Sequence, residues 1–342
     1  MTNRLTIKGG GEGMNDAKRV GILGTGSYIP EKVVTNDDLA KILDTNDEWI
    51  RTRTGIRERH LAAKNENASD MAVAAADRAI EMSGIRKDQI GFIILATGTP
   101  DYLIPNTSSR VQDKLGLDHA GAVDISAGCA GFIHGLFMAK GLVAAGLFDY
   151  VLVISSEMLS RHLDWNDRNT CILFGDGAGA TIVGRGGRLE IRSFDTGCDG
   201  SSWDCIHIPA GGTAEPISEE AIREGRLYLH MKGKKVFEAS VRHMRETAEN
   251  VLQKEGITKD EVGLYLFHQV NVRIIQCLAG KMEIPWEKIP IELDRLGNTG
   301  PASVAIALDL AMRGGRISKG SYVMMNGFGA GFIWSSLLLK AH

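Results

Sequence analysis

The sequence predicts an α/β protein built from two related halves. Over 342 residues, short β-rich apolar runs alternate with longer segments of helical pattern, the ordering expected of an α/β fold. The apolar runs are continuous rather than alternating, as suits strands covered on both faces. Segments of the first half also return, in the same order, in the second.

The first half opens on "RVGILGTG" (19–26), which reads as a buried strand. "TNDDLAKILDTNDEWI" (35–50) reads as one helix capped by Thr35, and "SDMAVAAADRAIEMSG" (69–84) as a helix with a Ser/Asp start and a Gly stop. "GFIILATGT" (91–99), "GAVDIS" (121–126) and "YVLVISSE" (150–157) read as strands, with a helix over Cys129–Gly146 between the last two. In the second half "GLYLFHQVN" (263–271) echoes "GFIILATGT", and "LGNTGPASVAIALDLAMRGG" (296–315) echoes "SAGCAGFIHGLFMAKGLVAAG". "SYVMMNGFG" (321–329) echoes "DYVLVISSE". The halves divide into 19–186 and 187–342, behind a tail of residues 1–18 in which Met14 is a second candidate start. The aperiodic stretch Asp199–Glu224 reads either as a surface excursion or as a lid.

Hydrophobic residues make up 44% of the chain and charged ones 24%, which is ordinary for a globular protein with a large core. A net charge of −3 gives no bulk basicity for nucleic acid or an anionic membrane. No apolar run is long enough for a membrane span, and the N-terminus lacks the apolar centre of a secretory signal. Cys129, Cys171, Cys198, Cys205 and Cys277 form no C-x-x-C pair. That argues against a disulfide framework and a zinc site, and for a cytoplasmic setting without metal.

Three residues carry candidate chemistry. Cys129, in "DISAGCAGF", is expected at the first turn of its helix, where free N–H groups and the helix dipole favour a thiolate. The alternative is a small buried hydrophobe. His268 follows the apolar "LYLF", at the strand end where open α/β sheets place ligands. It reads equally as a hydrogen-bonded packing residue. Asn298 in "LGNTGP" is ordinary turn chemistry, lifted by its place at the counterpart of the Cys129 turn. A rival reading takes "GTGSYI" (24–29) as a dinucleotide-binding loop, although Ile29 stands at its third glycine.

"DISAGCAGF", "FHQVNVR", "RLGNTGPASV" and "GFGAGF", in this order, resemble β-ketoacyl-ACP synthase III of the thiolase-like superfamily (ACP, acyl carrier protein). "TNDEWIRTRTGIRERH" (45–60) and "FGDGAGA" (174–180) add to the resemblance, which runs from about Val20 to the C-terminus. It implies a five-layer αβαβα thiolase-like fold of two duplicated halves, usually a homodimer. It also implies an acyltransferase that initiates fatty acid biosynthesis by condensing acyl-CoA with malonyl-ACP, through an acyl-cysteine and without a cofactor. "NGFGAGF" lacks the second cysteine of degradative thiolases, and Asn298 replaces the second histidine of the elongating synthases. Both departures fit the CoA-primed, initiating branch.

The resemblance implies a nucleophile at Cys129 and an oxyanion hole from the N–H groups of Cys129 and Ala330. His268 and Asn298 then serve as donors to the enolate left by decarboxylation. Neither need be a strong base, and an amide cannot be one. By the same resemblance Trp49 and Arg161 sandwich the CoA adenine, Arg53 meets a CoA phosphate, Asn271 supports His268, and Gly233 lines the tunnel. Gln269, Val270, Asn271, Val272 and Arg273 match the ACP-docking region. Lys234, Lys235, Arg242 and Lys281 are candidates for a basic face, with Glu238 where some relatives carry Lys. Ile104 aligns with the segment closing the far end of the acyl pocket. It stands where relatives restricted to short primers carry Phe, so longer or branched primers are expected. The alternative on the same fold is an acyltransferase of secondary metabolism that forms an ester, an amide or a signalling molecule.

Overall fold

The computed structural model describes residues 19–342; the tail 1–18 and Met14 lie outside the described residues. The first half comprises β1 (Val20–Tyr28), β2 (Lys32–Thr35), α1 (Asn36–Ala40), α2 (Asp47–Thr54), β3 (Glu58–Leu61), α3 (Ala68–Ser83), β4 (Ile90–Ala96), α4 (Thr107–Leu115), β5 (Gly121–Ile125), α5 (Gly131–Ala144), β6 (Tyr150–Glu157) and β7 (Gly177–Arg185). The second comprises β8 (Leu189–Cys198), β9 (Ile206–His207), α6 (Glu219–Arg223), β10 (His230–Met231), α7 (Gly233–Glu255), β11 (Val262–Phe267), α8 (Val272–Met282), α9 (Leu293–Leu296), α10 (Ala302–Arg313), β12 (Tyr322–Gly329) and β13 (Ile333–Ala341).

Nine strands run in the order β11-β12-β13-β8-β1-β7-β6-β4-β5. The two flanks mirror each other. β4 is parallel to β6, β6 antiparallel to β7, and β7 antiparallel to β1. Likewise β11 is parallel to β12, β12 antiparallel to β13, and β13 antiparallel to β8. Only the pairs Gly21↔Glu190 and Ile22↔Leu189 join β1 to β8, so two half-sheets meet at a narrow seam.

Side-chain alternation on these strands builds three cores. Val151 and Val153 of β6 pack with Leu136 of α5, Leu308 of α10 and Leu337 of β13 in the central cluster. Leu152 and Ile154, pointing the other way, pack with Met71 and Ala75 of α3. On the far side Met244 of α7 and Leu278 of α8 cover Tyr265 and Met324. α5 and α10 therefore lie between the half-sheets, with α3 and α4 outside one and α7 and α8 outside the other. This is the five-layer arrangement expected from the resemblance. Residues 302–309 of α10 are all buried, as a helix apolar on every face must be. Among the described residues no helix is long and apolar enough to cross a membrane.

The structure corrects two local expectations. The segment 35–50 is two helices rather than one. Thr35 and Asp38 close a capping box on α1, and Asn46 restarts the chain by accepting the Trp49 N–H at 2.8 Å. "GTGSYI" is no dinucleotide loop, because Gly24 and Gly26 lie within β1. A Cβ at either would approach the carbonyls of Ala79 or Ala75 to 2.5 or 2.2 Å, so these glycines let α3 lie close on the strand. The stretch Asp199–Glu224 contains a 3₁₀ segment at Gly200–Cys205 and helix α6.

Candidate active site

The site forms where α5 and α10 begin and β11 and β12 end. Cys129 lies in a 3₁₀ turn, Gly128–Ala130, and the α-helix starts at Gly131, two residues later than expected. Gly128 has φ of 50°, and a Cβ there would lie 2.9 Å from the backbone N and O of Ala330. A Cβ on Gly329 would lie 2.3 Å from the Cys129 N. Only glycine on both segments lets the Cys129 turn and the Ala330 loop touch backbone to backbone. The two N–H groups named for an oxyanion hole therefore lie on two segments in direct contact.

The thiol itself departs from expectation. Burial, with a further contribution from the Glu157 carboxylate, pushes Cys129 up to about 12. A backbone hydrogen bond at Cys129 offsets this only in small part, so the resting group is a thiol rather than a thiolate. Part of its surface remains open, although protein surrounds it closely.

His268 follows β11 directly, and its N–H donates to the Asn326 carbonyl of β12 at 2.8 Å. The side chain is buried, which drives its pKa down to about 3 and keeps the ring neutral. Nδ1 lies 2.7 Å from the Ser303 Oγ, which also accepts the Gln269 N–H at 3.2 Å. The neutral ring thus engages Ser303 through Nδ1, and among the described residues Nε2 has no hydrogen-bond partner.

Asn298 is oriented in the same sense. Its Oδ1 accepts the Gly300 N–H at 2.9 Å, and among the described residues its Nδ2 hydrogens have no partner. Its backbone bonds Leu173 and Gly175, in a bridge beside Phe174. A Cβ on Gly131 would lie 3.8 Å from Pro301, so the Cys129 and Asn298 turns adjoin.

A cleft of about 910 Å³ opens beside these residues, lined by Trp49, Arg53, Gly233, Phe237, Val270 and Asn271 among others. Cys129, His268 and Asn298 do not line it; Val270 and Asn271 connect its wall to His268. The Arg53 guanidinium lies 4.4 Å from the Trp49 ring centroid and that of Arg168 lies 5.0 Å away. Arg161 is not brought to Trp49; it donates to the carbonyls of Lys64 and Glu66 at 3.1 and 2.6 Å. Two arginines lie in 161–168, and spacing alone does not say which one folds back.

Other expected residues are placed differently too. Asn271 caps α8 by accepting the Arg273 N–H at 2.9 Å, whereas Ser303 is the partner of His268. Gln269 is buried, with Nε2 donating to Phe267 and Pro290 and Oε1 accepting from Glu292 and Leu293. It is therefore a brace inside the fold and offers nothing to a docking partner. Val270 and Val272 are half-buried, Arg273 is exposed, and so are Lys234, Lys235, Arg242 and Lys281. Lys281, Arg242, Arg245 and Glu238 border one shallow depression. Ile104 is 89% exposed and does not line the cleft. Among the described residues no cluster of His, Cys, Asp or Glu could hold a metal ion.

Comparisons with known proteins agree with this geometry. Residues 123–200 match the 3-oxoacyl-[acyl-carrier-protein (ACP)] synthase III family and residues 252–341 its C-terminal family. The chain is 45% identical to a β-ketoacyl-[acyl-carrier-protein] synthase III of Caldanaerobacter subterraneus subsp. tengcongensis, over 94% of this chain and 97% of that one. Its structure matches the 3-oxoacyl-[acyl-carrier-protein] synthase III of Aquifex aeolicus VF5, with a TM-score of 0.86 at 41% identity over 94% and 99% of the two chains. It also matches the priming β-ketosynthase of the R1128 polyketide pathway, with a TM-score of 0.88 at 34% identity over 97% and 99%. The chain belongs to the β-ketoacyl-[acyl-carrier-protein] synthase III family of condensing acyltransferases.

Proposed function

We propose that the protein condenses an acyl-CoA primer with malonyl-ACP, giving a 3-oxoacyl-ACP, CoA and CO₂, as the initiating step of fatty acid biosynthesis. The Cys129 sulfur attacks the primer carbonyl, the bond to CoA breaks, and CoA leaves as its thiol with the cysteine proton. Malonyl-ACP then loses CO₂, and its enolate carbon attacks the acyl-Cys129 carbonyl. The sulfur of Cys129 leaves and takes up one proton from solvent. Decarboxylation itself makes the carbanion, so this reading assigns no cofactor.

The observation that carries the reading is the pair of oriented neutral donors. Ser303 engages Nδ1 of His268 and leaves Nε2, where this reading places the ring proton, while Gly300 engages Oδ1 of Asn298 and leaves its amide hydrogens. Two neutral donors suit an enolate oxygen whose charge develops without a base. The N–H groups of Cys129 and Ala330 serve the tetrahedral oxyanion. Trp49, with Arg53 and Arg168, takes the CoA head group at the cleft, and Gly233 lines its passage. Arg273 with Lys234 and Lys235 receives the acidic carrier.

The reading includes a homodimer in the cytoplasm. Among the described residues β5 pairs only with β4 and is an edge strand, and Tyr102, Leu103 and Ile104, on the segment before α4, are 57, 84 and 89% exposed. A second copy covering them would bring Ile104 to the partner's acyl pocket, where Ile leaves more depth than Phe. The test of function is a mixture of protein, acyl-CoA and malonyl-ACP. Equal amounts of CoA, CO₂ and 3-oxoacyl-ACP are expected, and CoA release without carbon–carbon bond formation would refute the reading.

A further inference from the structure

Glu157, the last residue of β6, is a carboxyl with 2% of its surface exposed. Among the described residues no salt bridge reaches it, and a buried carboxyl without a counter-ion is costly. Its bonds are instead to one short turn. Oε1 accepts the Gly98 N–H at 2.6 Å and Oε2 the Thr99 hydroxyl at 2.7 Å. The Thr99 oxygen in turn accepts the Met158 N–H at 2.8 Å, closing a loop of hydrogen bonds back to Glu157's own neighbour. The Gly98–Thr99 turn leads into the segment carrying Ile104.

The other side of the side chain supports Asn298. Gly300 has φ of +58°, and a Cβ on it would lie 2.9 Å from the Glu157 Cγ. The N–H of that same glycine holds the Asn298 Oδ1. We propose that Glu157 is a positioning residue of the condensing site, fixing the Gly98–Thr99 turn and the Asn298–Gly300 turn relative to Cys129. The inference rests on the roles given above to Cys129 and Asn298.

A purely structural brace would not need charge, and here the charge has an effect. Burial and the nearby Asp176 raise Glu157 to about 7, and its carboxylate raises the Cys129 thiol. The ionisable groups that act on one another here are Cys129 from the turn before α5, Asp176 from the segment before β7, and Arg161, which acts on Asp176. Removing the charge should therefore ease ionisation of the nucleophile while loosening the geometry around it.

The test compares wild type, Glu157→Gln, Glu157→Ala and Gly300→Ala, measuring acylation, condensation and the pH profile of Cys129 alkylation by iodoacetamide. Glu157→Gln keeps the shape but loses one acceptor, so condensation kcat should fall about tenfold while KM for acyl-CoA stays within about twofold. Its alkylation profile should shift to lower pH. Gly300→Ala should slow condensation without that shift. If Glu157→Ala fails to fold, the Gln and Gly300 variants carry the test. A wild type that acylates Cys129, with a Gln variant identical to it in kcat and alkylation, overturns this inference alone. A wild type that takes no acyl group on Cys129 overturns the proposed function, and this inference with it.

Discussion

The Ser303 hydroxyl lies 2.7 Å from the Nδ1 of His268 while accepting the Gln269 N–H. One serine on the first turn of α10 thus links the histidine at the end of β11 to the turn carrying Asn298. In the proposed reading Ser303 donates to Nδ1 and keeps the ring proton on Nε2; Ser303→Ala removes that partner and frees the ring to place its proton on Nδ1. Condensation should slow about tenfold, in line with the loss of one hydrogen bond to a buried group. Acylation of Cys129 should change little. Paired rates for the two half-reactions check this, and equal rates of condensation in variant and wild type would show that the tautomer does not depend on Ser303.

Asn298→Ala separates the two steps. Loss of one oriented donor to the enolate should cut condensation by roughly 10²–10³-fold. The burst of CoA released on acylation should survive at full amplitude. Stopped-flow release of CoA, followed by addition of malonyl-ACP, measures both. A burst that shrinks with condensation contradicts the division of labour.

The resemblance implies a docking role for Gln269 and Arg273 alike, yet of the two only Arg273 is exposed. Arg273→Glu should raise the KM for malonyl-ACP and leave acyl-CoA turnover unchanged, with the wild-type preference weakening as salt rises. Gln269→Ala should instead lower stability by about 1–3 kcal/mol, because two backbone donors lose their acceptor. Kinetics with malonyl-ACP and urea melts of both variants test the contrast. A Gln269→Ala protein of wild-type stability with a raised KM would reverse the assignment.

The two-half organisation, several strands, the helices begun near Cys129 and Asn298 and the placement of Cys129, His268 and Asn298 near element ends were readable from periodicity and the repeat between halves, whereas the layered architecture came with the resemblance. The partners of those three residues were not readable. Ser303, Glu157 and Arg168 work through contacts between segments far apart in the chain, and a one-dimensional pattern carries no signal for such contacts. The break in 35–50 was hidden because Asn46 sits within an otherwise helical pattern and caps a second helix. The thiolate expected at Cys129 failed because a helix end competes there with burial and a carboxylate that sequence spacing does not bring near.

Acid stability carries the signature of His268. Its pKa is about 3 in the fold and about 6.5 when unfolded, so the unfolded chain binds the extra proton between these values. The His268 contribution to stability should therefore be intact above about pH 6.5 and fall by about 1.4 kcal/mol per pH unit below it. Glu157 acts oppositely: raised to about 7 in the fold from an ordinary 4.5, it contributes less stability as pH rises through that window. Urea unfolding of wild type and His268→Gln at pH 5, 6 and 7 resolves the two. The wild-type advantage should grow with pH, and parallel curves would contradict a neutral buried His268.

The most direct measurement is the mass of the Cys129 peptide after brief incubation with acyl-CoA, before and after malonyl-ACP is added. The account predicts one acyl group on Cys129, none in Cys129→Ala, and its complete transfer to the carrier as 3-oxoacyl-ACP with release of CO₂. An acyl group on another residue, or one on Cys129 that malonyl-ACP does not remove, would contradict it.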